Sequence, residues 1–299
     1  PILSGHEALR PARQQISEEA GEVVRASAPT GEEAMMPGSH FRPVPALDSD
    51  QVRRYLGERE PETFTLLDVR QPEEYGQAHI PGAKLIPLGE LPDRIGELDR
   101  EMTTIVYCRS GKRAGSATGL LMNAGFDDVW NMTGGMLAWQ GFKASGGPEA
   151  GAAIFEEAID TADVIRLAWA LEDGARLFYQ EMSKQYADTH VGRLFKVLSN
   201  AEDHHKAHLQ RVYAELTGND VEPPQPEGLD PTMEGGILLE TALSWAVGRP
   251  GPDALELSAS VEINAYDRYL QAAASRPDYA SKDVLLQVAR EETTHLEWL

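Results

Sequence analysis

The 299-residue chain contains one cysteine, Cys108, and the residues around it are of the types that activate a thiol. Residues 104–107 form a β-branched and aromatic run that predicts a buried strand, and a small-residue helical pattern begins at Ala114. A cysteine at the carboxyl end of a strand, facing a helix N-terminus and cationic side chains, loses its proton well below a pH of ~8.5. The intervening loop consists of Arg109, Ser110, Gly111, Lys112 and Arg113. Its successive N–H groups predict an anion-binding nest around the thiolate.

The spacing within this loop separates two kinds of cysteine chemistry. Arg113 follows Cys108 in a Cys-x4-Arg pattern, whereas cysteine phosphatases use Cys-x5-Arg. The shorter loop resembles that of the rhodanese family, whose cradle holds a persulfide on the cysteine rather than a phosphate. A lone cysteine is otherwise more often an inert buried residue, so the basic loop is what favours a catalytic role.

A second set of residues with chemical potential repeats along the C-terminal half of the chain. Glu202-x-x-His205 recurs 90 positions later as Glu292-x-x-His295, and two single glutamates recur at the same interval. The six residues are Glu172, Glu202, His205, Glu262, Glu292 and His295. Glu and His three positions apart lie on one helix face, so all six can point into a bundle centre. One Glu from each of two helices, with Glu-x-x-His from each of two others, is a di-iron carboxylate ligand set.

The repetition is what favours metal binding over the ordinary alternatives. A single Glu-x-x-His on a helix usually lies on a solvated face. Two matched pairs in register reverse that expectation, because burying four carboxylates without a dication would be very costly. Tyr179 and Tyr269 follow the single glutamates by two turns, and both hydrogen bonding to ligands and simple core packing are open for them. His204 and His208 have no counterpart in the repeat and are predicted to lie on the surface.

The elements that must position these residues divide the chain into distinct parts. Residues 1–39 contain few large apolar side chains and are predicted to be a loosely ordered extension. Strands and helices alternate over residues 40–145, which predicts an α/β domain whose parallel sheet has helices on both faces. A Gly-rich linker is predicted at residues 146–151. Residues 152–299 show four long helical patterns with one long connection, which predicts an all-α, ferritin-like four-helix bundle.

Three motifs in residues 40–145 resemble the rhodanese family. The run LDVRQPEEYGQAHIPGA, residues 67–83, is similar to the family's signature at the first strand-to-helix turn. The Cys108 loop follows in the expected order, and Gly134-Gly-x-x-x-Trp139 resembles the closing motif.

This resemblance implies sulfane-sulfur transfer by way of a persulfide. Cys108 would take sulfur from a small-molecule donor, thiosulfate or a persulfide, and pass it to a thiol or to cyanide. The loop around Cys108 would stabilise the persulfide and steer the anionic donor. Asp68 and Arg70 are either functional or hydrogen-bond partners that fix the loop, and the second interpretation is favoured.

Residues 152–299 are similar to the rubrerythrin and ferritin-like family. The resemblance implies two iron ions per chain, with other divalent metals as alternatives. It implies that Glu202 and Glu292 bridge the ions, with Glu172, His205, Glu262 and His295 as terminal ligands. Rubrerythrins usually carry a further glutamate where this chain has Ala265, and they often carry a four-cysteine rubredoxin-type domain, for which no cysteine remains here. Electrons are therefore expected from an external donor or from sulfur chemistry at Cys108.

The composition excludes several classes of partner. Acidic residues outnumber basic ones by 48 to 27, and the resulting formal charge of −21 argues against nucleic acid and anionic membranes. No apolar run approaches the ~20 residues of a membrane-spanning helix, and no signal-peptide core is evident. One cysteine excludes an internal disulfide framework, so we expect the reducing cytoplasm. We also expect a homodimer, because ferritin-like bundles often pair through apolar helix faces.

The sequence as a whole predicts a rhodanese-type sulfurtransferase whose persulfide chemistry is coupled to a di-iron oxidoreductase centre. Two alternatives remain open. In the first, the bundle is a rubrerythrin-like di-iron peroxidase or oxidase, and the rhodanese domain only senses or docks. In the second, the protein binds iron without catalysis.

Overall fold

A computed structural model describes residues 43–299, and the extension predicted for residues 1–39 lies outside them. Strands and helices alternate in the first part of the described chain, as the sequence predicts. The strands are β1 (Ala46–Leu47), β2 (Phe64–Asp68), β3 (Lys84–Leu85), β4 (Thr103–Tyr107) and β5 (Val129–Met132). The helices are α1 (Ser49–Gly57), α2 (Pro72–Gln77), α3 (Leu91–Arg94), α4 (Lys112–Asn123) and α5 (Gly135–Ala138), with 3-10 turns at Pro61–Thr63 and Ile95–Glu97.

The five strands form one parallel sheet in the order β1-β5-β4-β2-β3. Successive side chains of β4 enter different apolar clusters, Ile105 on one face of the sheet and Val106 on the other. Helices therefore cover both faces, as predicted. Asp68 pairs with Tyr107 at the carboxyl ends of β2 and β4, so Cys108 emerges beside the loop that follows β2.

The rest of the described chain is an all-α bundle. Its long helices are α7 (Thr161–Gln185), α8 (His190–Thr217), α10 (Gly251–Ser275) and α11 (Tyr279–Trp298), and its short ones are α6 (Ala150–Ile154) and α9 (Leu239–Ala246). Helix α7 packs mainly against α8, and α10 mainly against α11. Helix α8 ends at Thr217, and Gly218 follows it with φ 74°, the left-handed conformation typical of a glycine that terminates a helix. The long connection to α9 includes an antiparallel bridge between Thr232 and Leu238.

The apolar core of the bundle has two clusters, which succeed each other along the helices. On α7 the side chains up to Leu171 belong to one cluster, and those from Ala175 onward belong to the other. Glu172 lies between them, and Glu262 has the same position between Val261 and Ala265 on α10. No helix in residues 43–299 is long and apolar enough to cross a membrane.

The end of the predicted linker is helical rather than extended. Of residues 146–151, Ala150 and Gly151 belong to α6. A Cβ at Gly151 would lie 2.3 Å from the Arg268 carbonyl oxygen of α10, and the Gly151 N–H donates to Gln271 Oε1 at 2.9 Å. The glycine that composition assigns to a flexible linker therefore permits a close helix contact.

Candidate functional site

The Cys108 side chain lies in a cradle of backbone N–H groups. Cys108 is 1% exposed and directly follows β4. Its Sγ accepts hydrogen bonds from the N–H of Gly111 at 3.2 Å and of Ala114 at 3.4 Å. Gly111 has φ 86°, the left-handed region that favours glycine, and this conformation turns the loop toward the sulfur. Such donors stabilise a thiolate or an anion bound to it.

The segment of the closing Gly-Gly motif supports the Cys108 loop through backbone hydrogen bonds. The N–H of Met136 donates to the Cys108 carbonyl at 2.9 Å, and the N–H of Leu137 donates to that of Arg109 at 3.0 Å. A Cβ at Gly135, whose φ is 55°, would lie 2.2 Å from the Cys108 carbonyl oxygen. Only glycine leaves room for this contact.

The basic residues of the loop are not equivalent. Arg109 and Lys112 are exposed, so they are free to attract an anionic donor. Arg113 makes a two-point ion pair with Glu74 of α2, at 2.7 and 2.8 Å. The hydrogen bond from Arg113 lowers the pKa of Glu74 to about 2. Arg113 therefore joins α2 to the loop, a contact that the cysteine motif alone does not predict.

Asp68 and Arg70 form a buried pair beside the cradle. The Arg70 guanidinium donates to both carboxylate oxygens of Asp68, at 2.6 to 3.0 Å, and to the Ala78 carbonyl at 2.7 Å. Asp68 also accepts a hydrogen bond from the Arg70 N–H at 2.9 Å. These contacts agree with the interpretation of the pair as partners that fix the loop.

The structure brings the six predicted metal ligands together in the bundle. Five of them are fully buried, and His205 is 9% exposed. Each of three overlapping triads offers ligand atoms that lie within 4.8 Å of one another. The triads are Glu202, His205 and His295; Glu172, His205 and Glu292; and Glu262, Glu292 and His295.

The two halves of this cluster are alike in their contacts. His205 Nδ1 lies 3.2 Å from Glu172 Oε2, and His295 Nδ1 lies 3.1 Å from Glu262 Oε2. The two imidazole rings stack with centroids 4.7 Å apart. The repeat in the sequence is thus a repeat in space, with each histidine beside the single glutamate of its own half.

Each of the two tyrosines, Tyr179 and Tyr269, contacts the single glutamate of the opposite half of the bundle. The Tyr269 hydroxyl donates to Glu172 Oε1 at 2.9 Å, and the Tyr179 hydroxyl donates to Glu262 Oε1. Both roles that the sequence leaves open for these tyrosines are observed, because each donates to a predicted ligand and also packs in an apolar cluster of the bundle.

The charge state of the carboxyl groups depends on their partners. Burial raises the pKa of Glu202 and of Glu292 well above the ordinary value, and neighbouring carboxylates raise it further. Burial acts in the same direction at Glu172 and Glu262, but hydrogen bonds outweigh it, and the pKa of each lies below the ordinary value.

Buried polar atoms that lack a hydrogen-bond partner indicate whether these residues suit a metal. Both carboxylate oxygens of Glu202 and of Glu292 are buried without a hydrogen-bond partner among the described residues, and so is His295 Nε2. Oxygen and imidazole ligands at the centre of a bundle fit divalent iron and related cations, whose charge offsets the cost of burying carboxylates. The chain therefore carries groups that could hold a metal.

Two residues near this cluster have carboxylate contacts that the sequence does not predict. Glu234 lies in the long connection, is 1% exposed and groups with Glu202 and Glu262, although it belongs to no repeat. Its only sequence signal is a glutamate beside two glycines in a Pro- and Gly-rich segment. His208, predicted to lie on the surface, has a side chain that is 31% exposed, and its Nδ1 lies 3.1 Å from Glu291 Oε1.

Comparisons with known proteins divide the chain in the same way. A family model described as Rhodanese-like domain matches residues 48–142, and one described as Rubrerythrin matches residues 163–299. A sulfurtransferase from Allochromatium vinosum is 35% identical over 96 residues, which are 32% of this chain and 88% of that protein. The putative sulfur carrier protein YrkF of Bacillus subtilis is 42% identical over 27% of this chain, and the match spans 43% of that relative.

A solved rhodanese-like domain protein from Staphylococcus aureus is 31% identical, covers 32% of this chain and 91% of its own, and has a TM-score of 0.30. The rubrerythrin match implies iron binding in the bundle. The chain thus belongs to the rhodanese-like family through its α/β domain and carries a rubrerythrin domain fused behind it.

Proposed function

We propose that Cys108 carries sulfane sulfur as a persulfide. The Cys108 thiolate attacks the outer sulfur of thiosulfate, a sulfur–sulfur bond forms, and sulfite leaves with the electron pair of the broken bond. A thiolate or cyanide acceptor then attacks the terminal sulfur, and the Cys108 thiolate leaves. The observation that carries this proposal is the pair of N–H groups, from Gly111 and Ala114, that point at Sγ. The same donors would hold the negative charge of a persulfide.

The other loop residues have separate roles in this proposal. Arg109 and Lys112 are exposed and cationic, so they attract the anionic donor. Ser110 and Gly111 form the turn of the loop, and Arg113 holds it against α2 through Glu74. A single reactive thiol is also consistent with a reducing cytoplasm.

We propose further that the bundle holds two iron ions per chain. The residues that would hold them are Glu172, Glu202, His205, Glu262, Glu292 and His295. The carboxylate oxygens of Glu202 and Glu292 support it, since they are buried without a hydrogen-bond partner among the described residues and could serve a pair of cations. When bound, iron supplies redox chemistry toward oxygen or peroxide. Tyr179 and Tyr269 orient the terminal carboxylates through their hydroxyl groups.

The fusion supports a proposal that the two sites serve one reaction. The sulfane sulfur carried by Cys108 is the reductant and is oxidised to sulfite as the Cys108 thiolate is released, and oxygen or peroxide is the oxidant that takes up the electrons. An external electron donor is the other source of electrons, because no cysteine remains for a rubredoxin-type site. A homodimer also belongs to this proposal, and light scattering of the full chain tests it.

Two substitutions test the sites separately. Cys108→Ser is expected to abolish thiosulfate-to-cyanide sulfur transfer and to leave two irons per chain, because the metal ligands are all elsewhere. Glu292→Gln is expected to reduce the iron content and to retain sulfur transfer. Sulfur transfer by Cys108→Ser, or an iron-free wild-type protein, would contradict the respective assignment.

Coupling has its own measurement, the sulfide- or thiosulfate-dependent consumption of oxygen or peroxide by the iron-loaded protein. Coupled sites predict that both substitutions abolish consumption. Consumption that survives Cys108→Ser would favour a di-iron peroxidase or oxidase with a docking rhodanese domain. Iron binding without any consumption by the wild type would indicate a non-catalytic iron protein.

A further inference from the structure

Glu234 is a buried carboxylate that the six-residue ligand set does not use. It lies between α8 and α9, outside the four helices that carry the predicted ligands. Its side chain is 1% exposed, and neither carboxylate oxygen has a hydrogen-bond partner among the described residues. One of these oxygens groups with oxygens of Glu202 and Glu262, all within 4.8 Å of one another. Burial of an unpaired carboxylate is costly, so a cation at this point would compensate it.

Two glycines leave the room that the Glu234 segment needs to pack against helices α7 and α10. A Cβ at Gly174 of α7 would lie 2.2 Å from the Thr232 carbonyl oxygen. A Cβ at Gly235 would lie 2.9 Å from the Val261 carbonyl oxygen of α10. Gly174 is two residues beyond Glu172, and Val261 precedes Glu262. The segment therefore enters the bundle at the level of the metal ligands.

A tight backbone turn holds Glu234 in place. The N–H of Met233 donates to the Ile237 carbonyl at 2.9 Å, and the N–H of Gly236 donates to the Met233 carbonyl at 2.7 Å. Gly236 has φ 75°, and Met233 is fully buried in the apolar core. The position of the carboxylate is thus set by the backbone and by an anchored neighbour.

From these contacts we infer that Glu234 is a seventh protein ligand of the metal centre, on the ion that Glu262 and His295 hold. The inference rests on the proposed function, since it presupposes metal ions bound by the six repeated residues. The repeat offers no counterpart, because the position 90 residues earlier is Ala144. The two ions therefore have unequal ligand sets, and one of them carries an additional carboxylate.

The test compares the full-length wild type with Glu234→Gln and with Glu240→Gln, an exposed glutamate on the neighbouring α9. Each apoprotein is titrated anaerobically with ferrous iron against a chelator, and Mössbauer spectra are recorded with ⁵⁷Fe. The wild type is expected to bind two ions in two distinct environments. Glu234→Gln should lower the affinity for one ion by at least about 10-fold, because even residues that only orient metal ligands contribute that much to affinity. Glu240→Gln should match the wild type.

Glutamine has the shape of glutamate and buries no charge, so the metal-free Glu234→Gln protein is expected to melt at the same temperature as the wild type or higher. Its stabilisation by iron should be smaller. Unchanged affinity for both ions in Glu234→Gln would overturn the inference, because glutamine keeps a merely structural hydrogen-bonding role. If the wild type itself bound no iron, the proposed metal centre would fail instead, so the two failures are distinguishable.

Discussion

The buried Cys108 side chain lies in a polar environment that the backbone supplies. The sulfur is 1% exposed, yet two N–H groups point at it, and the nearby Arg113 is held by Glu74. At the proposed metal centre side chains play this part, because tyrosine hydroxyl groups from the opposite half donate to Glu172 and Glu262. In both proposed sites, neighbouring donors orient the group to which we assign the chemistry.

The ion pair between Glu74 and Arg113 predicts a pH-dependent contribution to stability. The folded-state pKa of Glu74 is about 2, below its ordinary 4.5. The contribution is therefore complete above pH 4.5 and is lost as the pH falls toward 2. We expect Glu74→Gln to lower the free energy of unfolding by about 1 kcal/mol at pH 7. That difference from the wild type should shrink at pH 3.

Urea unfolding at the two pH values measures this difference. Its control is the exposed neighbour Glu73, whose replacement by glutamine should change little at either pH. A Glu74→Gln penalty that stayed the same at pH 3 would show that the ion pair is not its source.

The crossed tyrosines predict a loss of metal affinity without a loss of ligands. Tyr269→Phe removes the hydroxyl that donates to Glu172, so the carboxylate is less well oriented. We expect affinity for iron to fall about 10-fold, and Tyr179→Phe to behave alike at Glu262. Tyr266→Phe is the control, because Tyr266 lies on the same helix but lines a cleft against the α/β domain. Equal iron affinities in all three variants would contradict this role and would mean that Tyr179 and Tyr269 act only through packing.

At the scale of the elements, positions and types follow from local patterns, but the fit between elements does not. The sequence predicted alternating strands and helices followed by four long helices, as observed. It did not predict the helix at Gly151 or the insertion of the 232–238 segment. In both cases a glycine allows backbone to approach a helix, and composition cannot distinguish this use from flexibility.

The closing motif predicts a strong effect of one added methyl group. In Gly135→Ala the Cβ would meet the Cys108 carbonyl oxygen at 2.2 Å, and φ of 55° is unfavourable for alanine. We expect a loss of at least about 2 kcal/mol of stability, together with most of the sulfur transfer. Gly119→Ala is the matched control within α4, where a Cβ meets nothing within 4 Å. It should raise stability by up to ~1 kcal/mol. Thermal unfolding and a sulfur-transfer assay measure both variants. A Gly135→Ala protein that is more stable and more active than Gly119→Ala would contradict this account.

At the scale of the whole molecule, the α/β domain and the bundle meet at Asp267 of α10. This buried carboxylate accepts from the Gly82 N–H at 2.8 Å and lies 3.0 Å from His79 Nε2. His79 stacks on Tyr75 with ring centroids 3.7 Å apart. A cleft of about 1290 Å³ between the domains is lined by neither Cys108 nor the predicted metal ligands. This cleft therefore does not connect Cys108 with the predicted metal ligands.

The interface predicts that the two domains unfold together. Asp267→Ala leaves the Gly82 N–H and His79 without their acceptor, which should cost about 2–3 kcal/mol. We expect the wild type to show one calorimetric transition. Asp267→Ala should show two, because one of its domains melts earlier. Asn264→Ala removes an exposed contact to the Ser145 N–H and should shift the transition only slightly. A single transition at the wild-type temperature in Asp267→Ala would mean that other contacts couple the domains.

The sequence by itself determined both domain families, Cys108 with its loop, and the six residues that repeat at an interval of 90. The fold class can be inferred locally because strand alternation and the helix turn are short periods along the chain, and the interval of 90 residues can be read directly from the sequence. Only the tertiary structure decided that Arg113 pairs with Glu74, 39 positions away, and that His79 meets Asp267, 188 positions away. It also decided that Glu234 enters the bundle. No local period encodes such contacts, because they exist only when separate elements pack against one another.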